Sequence, residues 1–169
     1  MSIRFGTSGW RAIIADDFTY KNVELVTKAI SSYLKDNFSE AKRTLIVGHD
    51  SRFMGEKFAS VAAEIAKRKG FRVLLCNHPT PTPTISHAII SQKAVGGMNF
   101  TASHNPPEYQ GIKFSTDDGA PALPEITRQI ENLIENKGGV ADASGGSIEE
   151  FDARSAYLDD FADARRACH

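Results

Sequence analysis

The sequence predicts an α/β fold, a three-layer α/β/α sandwich with a mixed, mainly parallel sheet. Two apolar runs of strand length, Thr44 to Gly48 and Arg72 to Cys76, enclose a stretch whose apolar residues recur at spacings of three and four. Strand, helix and strand at that spacing form a βαβ unit, which requires parallel pairing through a right-handed crossover. Further helix-period stretches before and after this unit supply layers for both faces of the sheet.

The first helix is expected from about Asn22 to Asn37, where Val23, Val26, Ile30, Tyr33 and Leu34 share one face. Thr19 or Asn22 can cap its start. Thr44-Leu45-Ile46-Val47-Gly48 follows as a short, fully buried strand. A second helix runs near Gly55 to Lys69 with Phe58, Val61, Ala62, Ile65 and Ala66 inward; Ser51 is an N-cap candidate and Gly70 supplies the stop. After the strand Arg72 to Cys76, Pro79-Thr80-Pro81-Thr82-Pro83-Thr84 forms a rigid connection into a short helix through Ile85, Ala88 and Ile89. Pro83 suits the first turn of that helix after a Thr82 cap.

Ala94 to Phe100 reads as a strand with a bulge at Gly96-Gly97. Gly111-Ile112-Lys113-Phe114-Ser115 alternates, so Lys113 points opposite to Ile112 and Phe114. Asp117-Asp118-Gly119 is a turn. A fourth helix starts near Pro124 and buries Ile126, Ile130, Leu133 and Ile134 until Gly138-Gly139 ends it. The glycine-rich stretch from Gly138 to Ser147 is expected to be a hairpin or linker. Beyond it, Phe151, Tyr157, Leu158 and Phe161 outline an amphipathic final helix. The domain organisation that follows is one α/β/α unit over 1–148 and a trailing helix over 149–169.

At 169 residues the chain can build one well-cored domain. Its 41% apolar and 24% charged residues are those of an ordinary soluble globular protein. A net charge of −1 without a basic run gives nucleic acid no electrostatic footing. Cys76 and Cys168 build neither a disulfide framework nor a metal spacing, and Cys76, ending an apolar run, reads as a buried free thiol. His78 and His87 read as solvent-facing or structural, because nothing with metal spacing accompanies them. The N-terminus Met1-Ser2-Ile3-Arg4-Phe5-Gly6 lacks the apolar core of a signal peptide, and no run approaches the ~20 residues of a membrane span. A cytoplasmic protein with no membrane partner is the expectation.

Chemistry concentrates in Thr101-Ala102-Ser103-His104-Asn105-Pro106-Pro107. The two prolines bar helix at the preceding residue, so Asn105 is extended or in a turn and Ser103 sits at an exposed tip. A serine hydroxyl needs a base or a different task to act. His104 is adjacent, but neighbours on an extended backbone point to opposite sides, and no hydrolase triad is spelled out. Gly-x-Ser-x-Gly and the P-loop pattern are absent; Ser32-Tyr33-Leu34-Lys35 lies mid-helix with Tyr33 and Leu34 on the core face. What remains is a rigid serine loop with Arg11, Lys113 and Arg52 as candidate cationic partners, a set that suits a phosphate ester.

Two of those cations lie in segments that also have a purely structural reading. Phe5-Gly6-Thr7-Ser8-Gly9-Trp10-Arg11 is either a backbone that approaches a ligand closely or a tight turn with Trp10 in the core and Arg11 on the surface. His49-Asp50-Ser51-Arg52 follows the end of a strand, where ligands gather in open α/β sheets. Asp50 and Arg52 equally suit pairing with each other or capping the helix.

Together these segments resemble the α-D-phosphohexomutase family, which includes phosphoglucomutase and phosphomannomutase. Thr101 to Pro106 is similar to that family's phosphoserine loop, and the Phe5 to Arg11 opening, Gly48-x-Asp50-x-Arg52 and Gly111-Ile112-Lys113-Phe114 fall in the family's order. Gln110 stands before Gly111 where the family often has Asn, a mild departure. The family resembled has four domains and more than twice this length; its metal loop, sugar-binding loop and second phosphate loop have no match here. The chain therefore resembles the first domain alone, and is expected to be a fragment.

The resemblance implies that Ser103 is a phosphoryl carrier that passes its group to a hexose phosphate through a bisphosphate intermediate. It implies catalytic roles for Ser103, His104, Lys113 and Arg11, and substrate or phosphate contacts from Thr7, Ser8, Arg11, Asn105 and Arg52, with Asn105 also holding the loop by bonding its backbone. Mg²⁺ would bind the phosphate on Ser103 and draw other ligands from a second domain; glucose or mannose 1,6-bisphosphate would be the activator. Thr7-Ser8-Gly9-Trp10 is more similar to the glucose/mannose branch than to the glucosamine branch. The chain alone is expected to lack mutase turnover, and a final helix exposing Tyr157, Leu158 and Phe161 is expected to favour self-association. The alternatives are a non-catalytic interaction domain of the same fold, the first domain of a phosphoglucosamine mutase, and an unrelated phosphate-ester hydrolase that uses Ser103.

Overall fold

The computed structural model describes residues 3–6, 9–136 and 141–167. Among the described residues six strands form one sheet: β1 (Trp10–Ile13), β2 (Thr44–His49), β3 (Arg72–Cys76), β4 (Gly96–Phe100), β5 (Tyr109–Thr116) and β6 (Ser147–Phe151). Five α-helices accompany them among those residues: α1 (Tyr20–Asn37), α2 (Gly55–Arg68), α3 (Thr82–Ser91), α4 (Pro124–Glu135) and α5 (Ala153–Ala167). The spatial order is β1-β5-β4-β2-β3-β6. β4, β2, β3 and β6 run parallel, while β5 is antiparallel to both β4 and β1. The mixed, mainly parallel three-layer sandwich is the architecture the sequence predicts.

Alternation along the strands sorts the side chains between two cores. Met98, Phe100, Ile112 and Phe114 share one cluster with Val23 and Ile30 of α1, Phe58 and Ala62 of α2 and Ile130 of α4. Ile46, Leu74 and Cys76 face the other way, onto Ile85, Ala88 and Ile89 of α3 and Ala153 of α5. The α1 start is capped by Thr19, whose hydroxyl accepts from Asn22 N–H at 3.3 Å. Glu131 of α4 is nearly buried and ties the N-terminal segment down, accepting from Phe5 N–H at 2.6 Å and from Arg4 at 3.0 Å.

Several local expectations need correcting. Ser51 does not cap α2: Asp50 Oδ1 accepts from Arg52 N–H at 2.9 Å, the chain turns, and Met54 takes the cap position in the left-handed region at φ 60°. Thr82 is already helical, with Pro81 in the cap position, and its hydroxyl accepts from Asn99 Nδ2 at 3.2 Å. Gly96 and Gly97 make no bulge; both keep regular register with β2 and β5. A Cβ on Gly97 would lie 2.8 Å from Ile89 Cδ1, so the glycine lets α3 approach the sheet. The fourth helix ends at Glu135, and Gly138-Gly139 lies outside the described residues.

β6 is an edge strand that the linker reading missed, and the expected boundary at 148/149 falls inside it. Ile148 packs on the larger core, Phe151 on the smaller, and Glu149 pairs with Arg72 of β3 at 2.6 Å. The sheet therefore runs on through that boundary. α5 lies against α3, where His87 bonds Asp160 at 2.5 Å and stacks edge-on against Tyr157, while Leu158 and Phe161 are exposed. His87 is structural and His78 exposed, as the sequence suggests. No described helix is long and apolar enough to cross a membrane.

Candidate active site

The carboxyl ends of β2 and β4 are adjacent, which brings the Asp50–Arg52 turn and the serine loop together at one end of the sheet. This is where open α/β sheets present their ligand sites. A cleft of about 530 Å³ there is lined by Asp50, Ser51, Arg52, Phe53, Ser103, Asn105 and Pro107. A larger cleft, lined by Lys42, Thr44, Ile90, Lys93 and Asp117 among others, lies at the amino ends of the parallel strands and is remote from the serine.

Ser103 is exposed and adopts φ 56°, a left-handed conformation that costs a non-glycine residue about 1–2 kcal/mol. Local hydrogen bonds hold it there. Ser103 N–H donates to Thr101 Oγ1 at 3.0 Å, Asn105 N–H to Ala102 O at 3.1 Å and Tyr109 N–H to Pro106 O at 3.0 Å. The turn defeats the extended-backbone argument made from sequence: His104 Nδ1 comes within 3.4 Å of Ser103 Oγ, a long contact on the same side. Backbone strain of this kind clusters at functional loops.

Arg11 and Lys113 share one face of the sheet. Arg11 is paired with Gly111, and Lys113 lies two residues farther along β5, so alternation points both side chains the same way. That face is the α3 side, because Asn99, opposite Lys113, bonds Thr82 at the start of α3. Arg11 Nη1 donates to Asn105 Oδ1 at 3.2 Å, so the asparagine side chain anchors the arginine instead of bonding its own backbone. Lys113 is half-buried; burial first, and then the Arg11 charge, hold its amine below the usual lysine range. Two cations on one sheet face, one of them bonded into the serine loop, can hold the charge of a phosphoryl ester. Trp10 is buried beneath them, stacked 4.8 Å from Phe18. Trp10 thus belongs to the core, as the structural reading of the opening segment has it, while Arg11 is bonded to the serine loop.

Arg52 sits differently. Its Nη1 donates to Pro106 O at 2.9 Å and Tyr109 O at 3.1 Å, and its Nη2 to Ser103 O at 2.8 Å and Asn105 O at 2.5 Å. Nε lies 3.5 Å from Asp50 Oδ2. Thr7 and Ser8 lie outside the described residues. Sequence reasoning missed Asn99, whose buried Oδ1 has no hydrogen-bond partner among the described residues, and Gln110, fully buried and bonded to Phe53 O at 3.4 Å. Neither carries a motif; their value comes from strand register alone.

A family model described as phosphoglucomutase/phosphomannomutase, alpha/beta/alpha domain I, matches residues 2–139. The chain belongs to the phosphoglucomutase/phosphomannomutase family. A phosphoglucomutase from Staphylococcus haemolyticus is 29% identical over 168 residues, covering 94% of this chain and 30% of the relative. A phosphoribomutase from Saccharomyces cerevisiae is 32% identical over 139 residues, 79% of this chain and 22% of the relative. The crystal structure of a Thermus thermophilus protein, titled as a putative phosphomannomutase, superposes with a TM-score of 0.82 at 37% identity, covering 94% of this chain and 36% of that one. The chain thus spans less than a third of the length of those two curated relatives. Other relatives carry the name phosphoglucosamine mutase. The phosphohexomutase relatives are mutases, and they share this α/β/α unit.

Proposed function

We propose that this chain is the serine-bearing domain of a hexose-phosphate mutase, with Ser103 as the phosphoryl carrier. The observation that carries the reading is an exposed, left-handed Ser103 on a loop bonded to Arg11, with Lys113 on the same face. In the forward half-reaction a sugar hydroxyl oxygen attacks the phosphorus on Ser103 and the P–Oγ bond breaks. The hydroxyl proton passes to a base, for which Lys113 is the candidate because burial and the Arg11 charge make its amine a readier proton donor and acceptor than a free lysine. His104, with Nδ1 3.4 Å from Oγ, is the candidate to return a proton to the departing serine oxygen. Arg11 offsets charge on the transferring group. The reverse half-reaction takes the phosphate from the other end of the bisphosphate.

Among the described residues there is no group of three or more His, Cys, Asp or Glu that could hold a metal. Mg²⁺ therefore has no ligand set here beyond the phosphoryl oxygens that Ser103 would carry, and other ligands would come from outside these residues. The sugar, glucose or mannose phosphate in this reading, is proposed from Thr7-Ser8-Gly9-Trp10 alone. The chain by itself presents one wall of a site and is expected to show no mutase turnover.

Incubation with glucose 1,6-bisphosphate, followed by phosphopeptide mass spectrometry, tests the reading. Phosphate on Ser103, absent in the S103A variant, supports it. An unmodified Ser103 in a chain embedded in its longer protein would instead support a non-catalytic domain of the same fold.

A further inference from the structure

We propose that Arg52 is a positioning residue: its guanidinium gathers four backbone carbonyls of the serine loop and so sets the orientation of Ser103. The residues it grips, Ser103, Asn105, Pro106 and Tyr109, span both sides of the loop tip. No other described side chain reaches so many of the loop's carbonyls. The resemblance to the family suggests a phosphate contact for Arg52, but the geometry gives each Nη two carbonyl partners and sets Nε beside Asp50.

The fit depends on guanidinium chemistry. Arg presents five donors in a rigid planar fork, whereas Lys presents a point charge on a flexible stem. Four acceptors, two at each Nη, match the fork and not the point. Asp50 fixes the plane from behind: Oδ2 faces Arg52 Nε at 3.5 Å, Oδ1 accepts Arg52 N–H at 2.9 Å, and Asp50 N–H donates to Phe100 O at 3.0 Å. That last bond ties the latch to the strand from which the serine loop springs.

Drawing these carbonyl oxygens onto one cation also keeps them from pointing at an anion in front of the loop. That consequence rests on the phosphoryl-carrier reading of Ser103. The latch itself does not, since it is a statement about loop order.

The test separates the two. In native protein, NMR of the Arg52 guanidinium should show distinct, slowly exchanging Nη protons, because rotation about Nε–Cζ breaks four bonds at once. A freely averaging guanidinium overturns the latch, and this measurement needs no variant. In R52A and R52K, amide exchange at Asn105 and Tyr109 should accelerate by about 30-fold or more, while Val47 and Ile112 in the sheet keep their protection. Methylguanidinium at millimolar concentration should slow the loop amides of R52A again and leave those of R52K unchanged. Unchanged Asn105 and Tyr109 exchange in a folded R52A protein rejects the proposal. If the loop loosens but Ser103 accepts phosphate from the bisphosphate at the native rate, the latch stands as a structural device and its role in transfer fails. If wild-type Ser103 never accepts phosphate, the carrier reading fails and the exchange result still decides the latch.

Discussion

Arg11 Nη1 donates to Asn105 Oδ1 at 3.2 Å, a bond that joins the edge strand β1 to a loop 94 residues later in the chain. It fixes the cation relative to the serine without using the loop's backbone. Removing the acceptor should therefore loosen Arg11 at its loop end while leaving the loop's own hydrogen bonds intact. A hydrogen bond to a charged group contributes about 1.5–3 kcal/mol, so N105A should slow phosphoryl uptake by Ser103 about tenfold or more. Quantitative phosphopeptide analysis over time reads the rate. An unchanged rate would mean that Arg11 is held by something other than Asn105.

Ser103 can be replaced in two ways that differ only in backbone preference. Ala retains the penalty of the left-handed region, and Gly does not. S103G should thus be more stable than S103A by about 0.5–1 kcal/mol in urea denaturation, although neither can carry phosphate. Equal midpoints would show that the φ 56° geometry relaxes when the hydroxyl is lost.

The major elements were legible because burial leaves a pattern. α1, α2, β2 and β3 announce themselves through apolar period, and Lys113 was assigned correctly to the face opposite Ile112 and Phe114 by alternation alone. The two edge strands were not legible. β1 is four residues long and is defined by its partner, with Arg11 and Ile13 turned away from the core. β6 carries two adjacent glutamates and is only partly buried, so it lacks the apolar signal of a central strand. The site divides in the same way. The residue types of Ser103, Arg11 and Lys113 were readable, but Arg52's task was not, because backbone carbonyl acceptors leave no trace in a sequence. The left-handed turn at Ser103 was hidden for a related reason: without a glycine there is nothing to flag it.

Lys113 should make stability depend on pH in one direction. Burial, then Arg11, lower its native pKa, so folding with a protonated lysine there carries a cost at neutral pH. That cost fades as pH rises through the lowered native value and is gone above the ordinary value of 10.5, because in this interval the unfolded chain binds more protons. K113M should accordingly melt higher than wild type near pH 7, with the gap closing as pH rises toward 10.5. A gap that stays constant with pH would attribute the effect to packing of the methionine instead. Phosphorylated Ser103 should narrow the neutral-pH gap, since a nearby anion favours the charged lysine.

Gly111 couples sheet packing to the site most directly. It lies opposite Arg11 across the β1–β5 pair, and a Cβ there would sit 2.7 Å from Thr101 O, 2.8 Å from Trp10 O and 2.9 Å from Arg11 Cγ. Two of these neighbours are backbone atoms, which cannot step aside as a side-chain tip can. Thr101 N–H also donates to Gly111 O at 3.0 Å, so any shift of Gly111 moves the first residue of the serine loop. G111A should cost about 1–3 kcal/mol of stability by overpacking and should impair Ser103 phosphorylation more than the stability loss explains. The comparison is with a Phe114→Leu variant of similar destabilisation, which disturbs the opposite face of β5. If the two variants lose stability equally and phosphorylate at the same rate, the path from Gly111 through Arg11 and Thr101 to the serine carries no positional information.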